Sequence, residues 1–409
     1  MTPAPSFRNS LPPLDAHEQV QCDAVRARLA QAIATAGGWI PFSVYQRIAL
    51  YEPGLGYYSA GAHKLGALGD FTTAPEIAPL FGRVLARWLA PMLQALGDSA
   101  EILELGPGSG ALAVDVLTAL ARCAALPKRY LMLDVSADLR ERQQRRLQQA
   151  LGAALAARAA WPDRLPERLC GFVLANEVLD ALPCERFVVA GGRPAVLGVA
   201  DAGGTGAFSW QTRPVAALAD AALRAAYDEL AVHLAALPEP LPDGYVGEFQ
   251  PTLPAFVASL AERLTKGCLV IVDYGLPRAQ LYHPRRAGGM LRCYRRHRVH
   301  DDPFREPGLT DISTWVDFSA VAAAGARAGL ELTAFCTQAA WLLAGGIESE
   351  LAALLAQTSD TASRIALVQA VKRLLLPAEM GESLKFMILA RDCAEQDASV
   401  AFQDLRDTL

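Results

Sequence analysis

The sequence has no Cys-X-X-Cys pair, no excess of positive charge, no internal repeat, no low-complexity tract and no apolar run of membrane-spanning length. Each absence removes a class of protein. The eight cysteines, Cys22, Cys123, Cys170, Cys184, Cys268, Cys293, Cys336 and Cys393, are scattered among helix- and strand-like neighbours. They read as reduced core cysteines of a cytosolic protein, not as a disulfide scaffold or zinc framework. A net charge of −5 does not suit a general nucleic-acid binder. The opening residues, Met-Thr-Pro-Ala-Pro-Ser, form neither the apolar core of a secretion signal nor an arginine-rich transit pattern. A bilayer span needs about 20 apolar residues. The expectation is a soluble, cytoplasmic chain with no membrane insertion. What is abundant is apolar surface: 52% of residues are hydrophobic and 20% charged, ample for a buried core. A length of 409 residues suits two domains, or one domain with large insertions.

The densest signal lies at Glu101–Gly110, Glu-Ile-Leu-Glu-Leu-Gly-Pro-Gly-Ser-Gly. Glu101–Leu105 reads as a short buried strand. Gly106, Gly108 and Gly110 follow at alternate positions, and Ala111–Ala121 is a helical run. Strand, glycine turn and helix make the first half of a nucleotide-binding βαβ unit. The next strand pattern, Tyr130–Val135, leaves Asp134 at its end, where a carboxylate can accept hydrogen bonds from ribose hydroxyls. Gly106, Gly108 and Ala111 also satisfy the loose dinucleotide pattern, so the turn alone does not choose between NAD and S-adenosylmethionine.

The rest divides as follows. Residues 1–16 carry four prolines and read as a loose tail. Residues 17–98 form a helical and lid region: a helix over His17–Ala36, a stretch from Trp39 to Tyr58 punctuated by Gly and Pro and filled with aromatics, a glycine loop at Gly61–Gly69, and a helix from about Pro75 to Leu96. Thr72 or Thr73 can cap that helix, with Glu76 in its first turn. Tyr51–Tyr58 can be either a packed aromatic turn or a lid over a cofactor. Residues 99–190 hold the first part of a sheet core, 191–245 a β/α insertion, and 246–340 the second part with a basic loop at 283–303. A helical insertion at 341–383 and a closing strand and tail at 384–409 complete the chain. Gly267 reads as the stop of a helix over Leu253–Leu264, and Asp311–Phe318 as the opening of another. Strand patterns fall at 101–105, 130–135, 157–161, 171–175, 268–272, 330–338 and 384–390. The expected fold class is α/β, a mostly parallel seven-stranded sheet finished by an antiparallel hairpin.

In such a sheet, ligands lie beyond the carboxyl ends of the strands. Gly171–Ala175 ends at Asn176-Glu177-Val-Leu-Asp180, which places Asn176, Glu177 and Asp180 where chemistry is expected. The alternative is a capping Asn176 with solvated acids. Six arginines lie between Arg285 and Arg298, either a solvated loop or one facing a substrate. His297, His300 and Asp301 match no standard metal spacing, so no metal is expected.

These segments together resemble the MidA family, the group that includes the mitochondrial complex I assembly methyltransferases. The matching stretches are Leu50–Tyr58, Gly69–Ile77, Glu104–Gly110, Ala175–Pro183, Asp273–Gly275, His297–Pro303, Asp311–Phe318 and Met380–Phe386. The resemblance covers nearly the whole chain after the tail. It implies a class I, Rossmann-like methyltransferase fold with S-adenosyl-L-methionine as cofactor. The implied cofactor set is Gly106, Gly108 and Gly110 with Asp134 at the ribose, joined by Glu104, Asn176, Thr73 and Glu76. Many relatives have Glu where this chain has Asp134, and a small Ser or Asn where it has Gln250. The resemblance further implies a protein substrate, methylated on arginine, of the respiratory complex I subunit type. An arginine guanidinium stays charged in water, and carboxylates can bind it in bidentate fashion. Glu177 and Asp180 are the expected catalytic acids, with Glu248 a third candidate. A dehydrogenase is disfavoured, because nothing downstream supplies a hydride-transfer acid. A cofactor-binding assembly chaperone and a small-molecule methyltransferase remain as alternatives.

Overall fold

A computed structural model describes residues 12–60, 72–201, 203–204, 206–393 and 403–409. The glycine loop at Gly61–Gly69 and most of the N-terminal tail lie outside the described residues. The first helix, α1 (Ala16–Thr35), starts on a reciprocal cap: Asp15 accepts from the Glu18 N–H, and Glu18 accepts from the Asp15 N–H. Two donors with no partner inside the helix are satisfied this way. A short strand, β1 (Trp39–Ile40), leads into α2 (Phe42–Tyr51). The aromatic stretch is thus partly helical, because Phe42, Tyr45, Ile48 and Ala49 recur at helical spacing and bury one face. The helix expected from Pro75 to Leu96 is two, α3 (Ala74–Ile77) and α4 (Leu80–Leu96). Ala78 between them is extended, with φ −167°, as steric conflict with the ring of Pro79 favours. Thr73 occupies the cap position of α3, but its side chain makes no capping hydrogen bond.

The core begins with β2 (Glu101–Leu105), α5 (Ala111–Arg122), β3 (Tyr130–Leu133), α6 (Ala137–Ala156), β4 (Ala159–Ala160) and β5 (Leu169–Asn176). The chain then leaves the core. β6 (Glu185–Ala190), β7 (Arg193–Asp201) and β8 (Phe208–Arg213) precede α7 (Ala221–Ala235) and β9 (Val246–Phe249). With β1 these strands form a separate antiparallel sheet. The chain returns through α8 (Leu253–Arg263) and β10 (Leu264–Leu276). Gly267 does not stop the helix; it lies inside β10 with φ +125°. A Cβ there would overlap the Gly171 carbonyl on the adjacent strand, so glycine is required by strand contact.

After α9 (Arg278–Leu281) come β11 (Arg292–Arg295), β12 (Arg298–His300) and β13 (Asp311–Ser313), a small antiparallel sheet in the order β12-β11-β13. Asp311–Phe318 is therefore mostly extended. β14 (Val316–Asp317) joins β10, and α10 (Phe318–Arg327) starts only where Asp317 caps the Ala320 N–H. β15 (Glu331–Thr337), three helices α11 (Gln338–Ala344), α12 (Ile347–Gln357) and α13 (Thr361–Leu375), and β16 (Leu384–Arg391) finish the fold.

The central sheet runs β15-β16-β10-β5-β2-β3-β4. From β10 to β4 the neighbours are parallel, while β16 is antiparallel to both β10 and β15. The mostly parallel sheet with an antiparallel finish is as expected. Both faces are covered. Ile102, Phe172, Leu174, Val270 and Val272 pack on the side of α4 and α5. Leu103, Val173, Ala175, Leu269 and Ile271 pack on the side of α8 and α10. Burial on both faces is why these strands read as continuous apolar runs. Among the described residues no single helix is long and apolar enough to cross a membrane. The bent pair α11–α12 meets the length and composition test only as a pair, and its Trp341, Leu342 and Ile347 are buried in the core.

Candidate active site

β2 delivers the chain to the glycine turn. Gly106, Gly108 and Gly110 have φ +56°, +55° and +82°, a region that side chains with a Cβ rarely adopt. A Cβ on Gly110 would also press on Leu147 at 3.1 Å. The turn borders a cavity of about 290 Å³, closed by Asp134, the Asn176–Leu182 loop, Thr73 with Glu76, and Tyr51 with Tyr58. Glu104, buried under the turn, accepts from the Tyr130 hydroxyl at 2.7 Å, and burial pushes its carboxyl up to about 7. Ser109 donates to Glu76, which also lies 3.7 Å from Arg146.

Asp134 lies one residue beyond β3. Its Oδ1 accepts from the Ser136 N–H at 2.9 Å and its Oδ2 from Gln143 at 2.8 Å. Burial raises its carboxyl above the usual range, and these hydrogen bonds oppose the shift. The Gln143 amide also donates to the Gly108 carbonyl at 2.8 Å, tying the acid to the turn. Sequence reasoning missed Gln143. Its one signal was a glutamine amid the polar positions of α6, which by itself does not separate a buried residue from an exposed one.

The loop after β5 holds the acids. Glu177 has φ +52°, a left-handed conformation outside glycine. Such backbone costs about 1–3 kcal/mol and persists where the surroundings impose it. Here Asp273 imposes it: its Oδ2 accepts from Val178, Leu179 and Asp180 N–H groups at 3.1, 2.7 and 3.2 Å. The Glu177 carboxylate accepts from the Ala74 N–H at 3.2 Å and from the Asn176 amide at 3.3 Å. Burial first, then the nearby Asp273, pushes Glu177 up to about 8. Burial, Asp273, Asp311 and Glu177 raise Asp180 in the same direction. Asn176 Oδ1 is buried at the cavity wall and has no hydrogen-bond partner.

Glu177 and Tyr58 are shared with a second cavity of about 580 Å³. Asp180, Asp311, Tyr274 and Tyr294 also line it. The Tyr58 hydroxyl donates to Asp311 at 2.8 Å, and the Tyr51 hydroxyl to the Ala181 carbonyl at 2.9 Å. Their rings stack 5.4 Å apart. Tyr57 is packed inward. The Tyr51–Tyr58 segment is thus a packed aromatic turn in which Tyr51 walls the first cavity and Tyr58 walls both.

The family model described as "Putative S-adenosyl-L-methionine-dependent methyltransferase" matches residues 84–336. The chain belongs to this family, the MidA-like methyltransferases. It is 29% identical over 390 residues to a Drosophila melanogaster protein named protein arginine methyltransferase NDUFAF7 homolog, mitochondrial, spanning 89% of this chain and 84% of that one. The human protein arginine methyltransferase NDUFAF7, mitochondrial, is 27% identical, with 86% and 80% covered. A Burkholderia thailandensis structure bound to S-adenosyl-homocysteine is 40% identical, with a TM-score of 0.89 over 98% of this chain and 100% of that one. S-adenosylmethionine is the cofactor. The observed cavity fits it: a glycine cradle, an acid at a strand end and an unpartnered buried amide oxygen.

The methyltransferase does not bring Glu248 to either cavity. Glu248 is buried on β9, ion-paired to Arg186 at 2.9 Å and accepting from the Met290 N–H at 2.7 Å. Its charge is already matched, so the third catalytic assignment is corrected to a structural one. Gln250 donates to the Leu179 carbonyl and braces the Glu177 loop. The basic loop is divided by strand alternation. Arg295 is buried and pairs with Glu18 and Glu306, Arg296 pairs with Glu18, and Arg286 lies over Trp315. Arg292 alone among its arginines lines the second cavity. Among the described residues no group of three metal-ligating side chains is present.

Proposed function

We propose that the methyltransferase acts on a protein, transferring the methyl group to a guanidinium nitrogen of an arginine side chain. The observation that carries this reading is the position of Glu177, which walls both the glycine-turn cavity and the acidic, tyrosine-lined one. The relatives named protein arginine methyltransferases support the same acceptor. From the MidA-family resemblance of the sequence, we take the partner to be a respiratory complex I-type subunit. The second cavity favours a protein segment over a small substrate, because it is roomy and its rim includes the exposed His297 and Arg373.

In this reading Gly106, Gly108 and Gly110 admit the cofactor backbone-close, Asp134 accepts from its ribose hydroxyls, and Asn176 Oδ1 accepts from its ammonium group. Glu104, Thr73 and Glu76 close the same cavity. Bound there, S-adenosylmethionine supplies an electrophilic methyl on a sulfonium. Glu177 and Asp180 receive the acceptor. A cation favours the ionised carboxylate, so guanidinium entry draws Glu177 and Asp180 into their charged forms. Tyrosine faces add attraction for a cation. Alkylation of a guanidinium nitrogen releases one proton, and the Glu177 carboxylate is placed to take it. The strained backbone at Glu177 holds that carboxylate in position.

The test is tritiated methyl transfer to cell-extract proteins, followed by amino-acid analysis of the labelled products. Label in methylarginine is expected. Glu177→Gln should abolish it while calorimetry shows S-adenosyl-homocysteine binding within about threefold of wild type, roughly 0.7 kcal/mol. Label on lysine or on small molecules alone would overturn the acceptor assignment.

A further inference from the structure

The second cavity is lined by charge of both signs. Its floor is acidic: Glu177 and Asp180 are half-buried and Asp311 is buried. Its mouth is formed by the hairpin tip at His297, the 53% exposed Val299, and the end of α13 with Arg373 and Glu379. Strand alternation builds one wall. On β11, Cys293 and Arg295 turn into the protein, while Arg292 and Tyr294 line the cavity opposite Ser313 and Asp311 of β13.

In the β11–β12 region Arg295 and Arg296 pair with carboxylates, but Arg292 does not. Its guanidinium donates to the Leu291 carbonyl at 2.7 Å, and among the described residues no carboxylate lies within ion-pairing distance. Arg373, in the last turn of α13, likewise has no ion pair among the described residues. Among the described residues Glu379 is the one carboxylate on that rim, and it is exposed.

We propose that Arg292 and Arg373 read a carboxylate side chain flanking the methylated arginine, so that the substrate segment is an arginine beside an aspartate or glutamate. This rests on the arginine-acceptor reading above. A purely cationic segment would satisfy the acidic floor but would also meet two guanidinium groups, Arg292 on the wall and Arg373 at the mouth, and like charges brought together disfavour a partner. A segment with an acid beside its arginine matches both ends. Arginine suits this task because its planar donor fork binds a carboxylate in bidentate fashion. Arg292 and Arg373 line only the second cavity, so they act on substrate choice and leave cofactor binding alone.

The experiment is a peptide array read by tritiated methyl transfer from the full-length protein. Each peptide has one central arginine, with glutamate or lysine placed in turn at each flanking position. Binding of labelled peptides in the presence of S-adenosyl-homocysteine is followed by fluorescence anisotropy. Glutamate at one or two positions should improve methylation and binding about tenfold over lysine, within the range of a charged hydrogen bond. Arg373→Glu and Arg292→Glu should each erase or reverse that preference, with S-adenosyl-homocysteine affinity unchanged by calorimetry. Methylated arginine peptides with no acid preference, or a preference that survives both substitutions, would overturn the proposal and leave the arginine reading standing. Methylation confined to lysine peptides would overturn the arginine reading and this inference with it. Absence of both binding and transfer for every acidic peptide also overturns it.

Discussion

Glu177 shows how much one side chain owes to its surroundings. Unperturbed, its carboxyl would titrate at 4.5, yet burial and Asp273 hold it up at about 8. The sign has a consequence for rate. At neutral pH the free enzyme carries this acid largely protonated, and a protonated acid cannot receive the acceptor's proton. The pH profile of kcat/KM should therefore rise through a limb near 8, since that ratio reports the free enzyme. The limb in kcat should lie lower, because a bound guanidinium favours the ionised form. Steady-state rates from pH 6 to pH 9 (roughly two units below and one above that limb) check this, and a flat kcat/KM profile would remove Glu177 from proton transfer. Asp273 acts through the backbone instead. Its one oxygen gathers three N–H groups and so fixes where Glu177 and Asp180 point.

At the scale of elements, the glycine turn and α6 work as a unit. Gln143 links the Gly108 carbonyl to Asp134, so the acid at the end of β3 and the turn share one brace. Gly106→Val, forced into φ +56° and against Val178, should abolish S-adenosylmethionine binding. Gln143→Ala should weaken it about tenfold, the scale of a hydrogen bond to a charged group. Calorimetric titration measures both; normal binding by Gly106→Val would contradict the site at the turn, and normal binding by Gln143→Ala would contradict the shared brace. In the second sheet, Glu248 joins β9 to β6 through Arg186. Glu248→Gln should lower stability by about 3–5 kcal/mol, as breaking a buried pair does, while methyl transfer per folded molecule is retained. Urea denaturation and an active-site titration measure both, and a catalytic loss without a stability loss would restore Glu248 to the reaction.

For the molecule as a whole, the buried acids set a pH slope. Glu104 is pushed from 4.5 to about 7 by burial. Between those values the folded state holds a proton that the unfolded chain releases, so its stability contribution is full below about pH 4.5 and is lost as pH rises through about 7. The shift corresponds to about 3–4 kcal/mol at most. Glu104→Gln, neutral at every pH, should flatten that part of the slope in urea denaturation between pH 5 and pH 8 (about the window between the two titrations); an unchanged slope would place the proton elsewhere.

Local pattern made the central framework legible: apolar runs of strand length, glycines at alternate positions, and acids at strand ends are properties of a few consecutive residues. Those patterns single out Gly106, Asp134, Asn176 and Glu177, which the fold brings to one cavity, and the resemblance of ordered segments points to the cofactor. Local pattern also misread Gly267 as a helix stop, because a glycine demanded by a neighbouring strand has the same appearance as one demanded by a turn. Tertiary structure alone decided which charges were available. Glu248 is matched by Arg186 and Arg295 by Glu18 and Glu306, whereas Arg292 has no carboxylate partner among the described residues. Tyr58 reaches Asp311 across 253 residues, and Asp273 reaches the Glu177 loop across more than 90. A residue's type states that a charge or donor is present; only the folded chain, by bringing distant groups within hydrogen-bond reach, determines whether that charge is neutralised inside the protein or left to meet a substrate.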